Sequence, residues 1–382
     1  MKRLILCADG TWNEPEQVDE KTGRRRPTNV LKTARAVLPR SASGVEQVVY
    51  YHVGIGGESA GLDKVTDGAF GNGMERNVRA LYRFIVFNWR EGDEIYLFGF
   101  SRGAFTVRTL CGFMRAVGLL QKADEFYTPD FYKLYESSIP KNTPQWDEAT
   151  KTVNVKKEDI RPCPGIRLVG VWDTVGSLGA PGALGQLFNP GKYKYHDTGL
   201  HDEIENACHA LAIDEQRGPF APTLYARPAG WRGRLEQVWF PGYHCNVGGS
   251  SDPDGVANEA LHWMIEKAGG LGVEFDQKYL AHYWACFNSK VHDSMSTMYR
   301  LMKKYVRPIG ENLAHGEAIH QSALDRVKLL GKEYSPENLA AAVQKGNVPV
   351  VSTTGRTGKP CGALPQPAPG TGPAPVASPF PQ

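Results

Sequence analysis

The chain is predicted to fold as an α/β domain, with a mostly parallel sheet covered by helices on both faces. Two observations carry this expectation. Strand-length runs rich in apolar, β-branched and aromatic residues alternate with segments whose apolar residues recur at helical spacing. One strand run, Glu94–Phe100, passes through a tight glycine-flanked turn directly into a helical pattern. With 382 residues, the chain is long enough for one large domain or two small ones. We expect one domain over residues 1–350, followed by a tail at 351–382.

The elements follow in order. Arg3–Ala8 is the first strand, and a helix is expected from about Asn29 to Leu38. Gln47–Val53 reads as the second strand. Asn72–Trp89 reads as a helix, with Val78, Leu81, Tyr82, Ile85 and Phe87 at helical spacing. Glu94–Phe100 is the third strand and Ala104–Val117 its helix. Ile166–Trp172 and Leu235–Phe240 are further strands, with a helix expected around Glu203–Ile213 between them. Asn258–Ala268 has the stripe of an amphipathic helix in Ala260, Leu261, Met264 and Ile265.

Two segments interrupt the alternation. Residues 121–164 form an aromatic, charged insertion where a cap or a surface excursion fits, and 177–202 is a glycine- and aromatic-rich loop able to shape a pocket. From about Val351 the composition shifts to Pro, Gly, Ala, Ser and Thr, too poor in apolar surface to fold, and disorder is expected.

Composition excludes several classes. Hydrophobic content of 41%, aromatic content of 10% and mean hydropathy of −0.39 describe an ordinary globular protein. A formal net charge of +3 provides no global case for a nucleic-acid partner. The apolar run at Leu4–Ala8 breaks at Asp9-Gly10, too early for a signal peptide, and no run approaches the length of a membrane span. A cytoplasmic location is therefore the default expectation, with signal-less secretion leaving no trace in a sequence. Seven scattered cysteines without C-x-x-C spacing argue against a disulfide framework or a zinc site. No cofactor or metal is expected, and the oligomeric state is not legible.

The chemistry-bearing stretch is Gly99-Phe-Ser101-Arg-Gly103. Strand, sharp turn and helix in that order make a nucleophile elbow, which thrusts a serine hydroxyl into the open. The flanking glycines serve a turn with no room for Cβ atoms. A second match, Gly57-Glu-Ser59-Ala-Gly61, is separated from its strand by Gly54-Ile-Gly56 and is followed by a glycine-rich segment. Ser59 is read as part of a surface loop.

A serine needs a histidine base oriented by a carboxylate. Each should stand on a loop after a later strand, in the order acid then histidine. Asp173 ends the strand at Ile166–Trp172, and His244 follows the strand that breaks at Pro241-Gly242. His209 and His262 fall within helical patterns, His52 precedes the acid, and His292, His315 and His320 lie in polar segments. For the oxyanion, one backbone N–H should come from Arg102 and a second from the loop at Gly10 and Thr11.

Assembled, these motifs resemble a family. The chain is similar to the α/β-hydrolase-like catalytic domain typified by type 1 lipase effectors of bacterial type VI secretion, with relatives in bacteria and fungi. The resemblance rests on Asp9-Gly-Thr-Trp-Asn13, Tyr51-His-Val-Gly-Ile-Gly56, Gly99–Phe105 and Gly170–Gly179. It continues through Ala212–Arg217 with Phe220-Ala-Pro222, Trp239–His244 and His292-Asp-Ser294. It implies a Ser101–Asp173–His244 triad and ester hydrolysis, with phospholipase A activity in characterised effectors, a lipid ester as substrate and transient contact with a membrane surface. Two positions depart from the family pattern. Cys245-Asn246-Val-Gly-Gly-Ser250 stands where Ser-Asp-Val-Gly-Gly-Gly is usual, and Gly56-Gly57 where a glycine–threonine is usual. The long membrane-binding extensions of secreted effectors are not expected for this chain. The Asp214-Glu215-x-Arg217 cluster is expected to be a structural ion-pair network. Two alternative classes are a catalytically silent hydrolase fold serving as a scaffold, and a nucleotide-binding protein. The second lacks a Walker lysine or a G-x-G-x-x-G in strand–helix context.

Overall fold

The computed structural model describes residues 1–10, 13, 15, 16, 18, 23–54, 67–151, 153, 155–176, 199–295, 299, 304–354 and 360. Eight strands form one parallel sheet in the order β2-β1-β3-β4-β5-β6-β7-β8. They are β1 (Lys2–Ala8), β2 (Glu46–His52), β3 (Glu94–Phe100), β4 (Ile166–Trp172), β5 (Asn206–Ala212), β6 (Arg234–Phe240), β7 (Glu317–His320) and β8 (Val350–Val351). β1 and β3 to β6 form the centre of the sheet and are mostly buried along their length, because helices cover both of their faces.

One face is covered by α1 (Asn29–Ala36) and Gly255–Gly270, numbered α7 below, and the other by α2 (Asp67–Asn88) and α3 (Arg102–Val117). Between α3 and β4 lie α4 (Thr128–Glu136) and α5 (Pro144–Lys151), and α6 is the short helix His244–Gly248 after β6. After α7 come α8 (Gln277–Leu280), α9 (Gln321–Leu330) and α10 (Glu337–Lys345). The two main cores lie on opposite faces of the sheet, and a satellite cluster forms around Ile319, Ala323, Leu339 and Ala342 near the β8 edge.

The chain runs from β1 outward to β2 and then returns to place β3 on the other flank of β1. That reversal opens a crevice at the carboxyl ends of β1 and β3, the place where α/β sheets bind ligands. Both the Asp9-Gly10 loop and Ser101 emerge there. The close fit of α3 depends on Gly103: a Cβ there would run into the carbonyl oxygens of Ala8 and Asp9.

Two expectations are corrected. Residues 203–213 contain β5 rather than a helix, and His209 stands on that strand, fully buried. Ala-Cys-His-Ala-Leu-Ala has no β-branched residue, so propensity favours a helix, but a slot between β4 and β6 overrides it. The ordered chain also runs past Val351: β8 pairs with β7, and the Thr353 hydroxyl lies 3.1 Å from His320 Nε2. Residues 361–382 lie outside the described residues.

The 121–164 insertion packs on the flank of the sheet, with Tyr132 and Tyr135 against Phe113 in the C-terminal half of α3. Phe113 is about 18 Å along the helix from Ser101 at 1.5 Å per residue. The described part of the insertion is thus seated away from the strand ends. Most of the 177–202 loop lies outside the described residues. Cys7, Cys111, Cys163, Cys208 and Cys245 are free thiols, while Cys286 is disulfide-bonded, a departure from the cysteine reading.

One buried acid is out of keeping with the apolar interior. Glu259 on α7 is 1% exposed, and among the described residues neither carboxyl oxygen has a hydrogen-bond partner. Burial, reinforced by Asp325, pushes it up to about 8. A raised folded-state pKa contributes stability below the unfolded value of about 4.3 that is lost as pH climbs towards 8. Glu259→Gln should therefore be more stable than the wild type at pH 8, by about 1–3 kcal/mol. The gap should close at pH 4, and thermal melts across that range check it.

Candidate active site

Ser101 caps the N-terminus of α3 at φ 58° and ψ −120°. A non-glycine residue at positive φ is held there by its surroundings. Here the Ser101 N–H donates to Trp172 O at 3.0 Å, and Gly99 and Gly103 on either side leave the turn its room. Asp173 also has positive φ, 41°, directly after β4. Both side chains thereby leave their strands at the same edge of the sheet.

His244 is the first residue of α6, which packs tightly enough that a Cβ on Gly248 would enter the Phe100 ring. Its Nε2 lies 2.8 Å from Ser101 Oγ and its Nδ1 lies 2.6 Å from Asp173 Oδ2. The carboxylate requires the ring proton on Nδ1, which leaves Nε2 to accept from the serine hydroxyl. The ring is flanked by Phe100 at 4.6 Å and by the edge of Phe220 at 5.1 Å, centroid to centroid. All three polar side chains are buried. The residues picked from sequence order alone, 143 and 71 positions apart, meet in one hydrogen-bonded row.

The sequence reading missed Arg307. Its guanidinium grips Asp173 with both Nη atoms, at 2.6 and 3.0 Å, and the pair is fully buried. It also donates to Ala212 O and Phe220 O. Burial pushes the Asp173 carboxyl up, but Arg307 and His244 outweigh it and hold the group far below the usual carboxylate range. Arg307 lies in a segment without periodicity or motif, 134 residues from its partner, so no local signal marks it.

A second missed element supports the acid loop. His209 Nε2 accepts from the Thr174 N–H at 3.1 Å, one residue after Asp173, and its Nδ1 faces Gln237 Oε1 at 3.4 Å. Burial and the nearby Arg108 hold this histidine down to about 3, so it stays neutral. The Asp214-Glu215-x-Arg217 cluster is structural in its contacts. Glu215 pairs with Arg217 through both oxygens at 2.9 and 2.7 Å, and its Oε2 also accepts the His244 N–H at 3.3 Å. Asp214 accepts from Gly242 N and from the Tyr334 hydroxyl.

The expected oxyanion donors fare differently. Arg102 opens α3, where first-turn N–H groups have no intrahelical acceptor and the dipole is positive. Gly10 does approach the serine: a Cβ on it would lie 3.2 Å from Ser101 Cβ. Its N–H, however, donates to Asp9 Oδ1 at 2.7 Å, because a buried carboxyl one residue away is the stronger local acceptor. Thr11 and Ser59 lie outside the described residues. Among the described residues no His, Cys, Asp and Glu cluster is arranged to hold a metal ion, and no helix is long and apolar enough to cross a membrane.

Comparison with known proteins gives the site a context. The family model described as T6SS phospholipase effector Tle1-like, catalytic domain, matches residues 2–267. The chain is 31% identical over 237 residues to the uncharacterized protein YEL023C of Saccharomyces cerevisiae, covering 57% of this chain and 32% of that protein. It thus spans about a third of that relative's length. Two solved structures are similar in part. One is a crystal structure of an uncharacterized protein from Pseudomonas aeruginosa, with 14% identity, TM-score 0.43, and 73% of this chain and 47% of that one covered. The other is the Tle1 effector bound to the VgrG spike from the type 6 secretion system, with 20% identity, TM-score 0.35, and coverage of 65% and 51%.

Proposed function

This chain belongs to the Tle1-like phospholipase effector catalytic-domain family of type VI secretion, and from that premise we propose that it is a serine hydrolase of carboxylic esters acting on acyl chains of phospholipids. Family membership makes it a lipase- or esterase-type hydrolase. The observation that carries the finer reading is the row Ser101 Oγ, His244 Nε2, His244 Nδ1 and Asp173 Oδ2, with gaps of 2.8 and 2.6 Å.

In the proposed reaction Ser101 Oγ attacks the acyl carbonyl while His244 Nε2 takes its proton. Asp173, kept ionised by Arg307, stabilises the imidazolium that forms and holds the ring in the Nδ1–H tautomer. The tetrahedral oxyanion receives the Arg102 N–H at the positive end of α3. His244 then protonates the leaving alcohol, and water attacks the acyl-enzyme with the same base. Phe100 and Phe220 keep the imidazole between apolar rings and limit its contact with water.

A fluorophosphonate probe tests the reading, because only an activated serine reacts with it. We expect stoichiometric labelling at Ser101 and release of fatty acid from phosphatidylglycerol and phosphatidylethanolamine vesicles. Labelling at Ser101 with turnover of short p-nitrophenyl esters alone would leave the hydrolase and remove the phospholipid. A folded protein that takes no label would overturn the serine mechanism and favour a silent scaffold.

A further inference from the structure

Asp9 has no role in the steps above, yet its carboxyl accepts three hydrogen bonds on the loop that faces Ser101. Its Oδ2 accepts the Thr28 hydroxyl at 2.6 Å and the Tyr51 hydroxyl at 2.7 Å, while Oδ1 accepts the Gly10 N–H at 2.7 Å. These donors are neutral and come from three places: the loop itself, the N-cap of α1 and the end of β2. The carboxyl is 3% exposed, and burial pushes it up to about 6 against the pull of the three bonds. Asp173 has an arginine to offset its burial. Asp9 relies on neutral donors, a costly arrangement for a residue that only fills space.

What the carboxyl joins explains why it is there. On one side, Gly10 is packed close behind Ser101, and the Asp9 carbonyl lies against Gly103 in the first turn of α3. On the other side, Thr28 pairs through its backbone with Gly249, directly after α6, the helix that begins with His244. Ser250 N donates to Pro27 O at 3.2 Å, and Asn29 Nδ2 donates to Val247 O within α6 at 2.9 Å. Thr28 thus hands the position of Asp9 to the segment that carries the histidine. Beside their direct contacts at Phe100 and Ser101, the Ser101 turn with its loop and α6 with His244 are also linked through the Asp9 carboxyl and Thr28.

We infer that Asp9 is a positioning residue for the proposed hydrolysis: it sets the Gly10 loop against Ser101 and, through Thr28, sets α6 so that His244 Nε2 stays in reach of the serine hydroxyl. It also claims the Gly10 N–H for itself, so that this N–H orders the loop instead of binding the acyl oxygen. The inference rests on the serine mechanism proposed above. Misplacement of reacting groups by about 1 Å is enough for a hundredfold loss of rate.

The experiment measures kcat and KM for a p-nitrophenyl ester per fluorophosphonate-reactive site, so that misfolded protein is not counted. Asp9→Asn keeps the shape but presents an amide N–H₂ towards two hydroxyls. We expect kcat per reactive site to fall about tenfold to hundredfold with KM changed less than about twofold. Tyr51→Phe, which removes one donor, should fall in the same direction by less, and Thr28→Val should fall below Thr28→Ser, which keeps the hydroxyl. Asp9→Asn turning over within about twofold of the wild type per site would overturn the inference while leaving the serine mechanism intact. Should Asp9→Asn yield no reactive sites, unchanged turnover in Tyr51→Phe and equal turnover of the two Thr28 variants would overturn it instead. A wild type that takes no label removes the mechanism itself, and the inference with it.

Discussion

Ser101→Ala will fold like the wild type and hydrolyse esters at least about 10⁴-fold more slowly. The substitution deletes one oxygen atom at a backbone position that already tolerates a Cβ at φ 58°. The turn, the Trp172 bond and the helix behind it all use main-chain groups, so the stability change should stay below about 1 kcal/mol. The rate loss should be large because in the proposed reaction Oγ forms the bond, and among the described residues no other nucleophile lies within hydrogen-bonding reach of His244 Nε2. His244→Ala should cost a similar factor, and the double variant little more, since a nucleophile and its base act as a unit. Initial rates on p-nitrophenyl butyrate and on phospholipid vesicles provide the measure. Equal activity of wild type and Ser101→Ala on both would sink the mechanism.

Arg307→Met should cost about 3–5 kcal/mol of stability at pH 7, because it strands a buried carboxylate rather than merely removing an ion pair. Asp173 would keep His244 Nδ1 and the Ala212 N–H as donors but lose both guanidinium bonds. The pH dependence gives the sign. In the wild type the folded-state pKa of Asp173 is depressed. Its contribution is therefore present above the unfolded value of about 3.9 and is lost as pH falls through the folded value. His209, depressed to about 3, adds a loss in the same direction that begins below about 6.5. Without Arg307, burial would raise Asp173, and its ionisation would then destabilise the fold as pH rises. The stability gap between wild type and variant should thus be widest near neutrality and narrow towards pH 3. A gap that stays constant from pH 7 to pH 3, or a variant as stable as the wild type at pH 7, would refute the role assigned to the pair. Activity should fall as well, since a protonated Asp173 cannot stabilise the imidazolium.

Much of this protein is legible without coordinates, for a definite reason. The five strands β1 to β4 and β6 announce themselves because each carries a run rich in apolar, β-branched or aromatic residues that ends at a turn. The elbow is equally plain, because glycines at 99 and 103 answer a local steric demand. Asp173 and His244 follow from order alone, since parallel strands deliver their loops to one edge of the sheet. β5 escapes the same reading: alanine-rich and without β-branched residues, it is a strand only because its neighbours leave a strand-shaped slot. β7 and β8 are too short to show a period.

Local pattern therefore determined the α/β class, the glycine-flanked serine turn and the choice of Ser101, Asp173 and His244 as the residues proposed for the chemistry, because each is marked by a turn or strand end a few residues long. Tertiary structure alone decided what surrounds them. It paired Arg307 with Asp173, placed His209 behind Thr174, took the Gly10 N–H for Asp9, and joined the serine loop to α6 through Thr28. Apart from the bond between neighbouring Asp9 and Gly10, these are contacts between charged or polar groups far apart in the chain. Burial gives them their energy, and burial is a property of the packed fold that no stretch of sequence carries by itself.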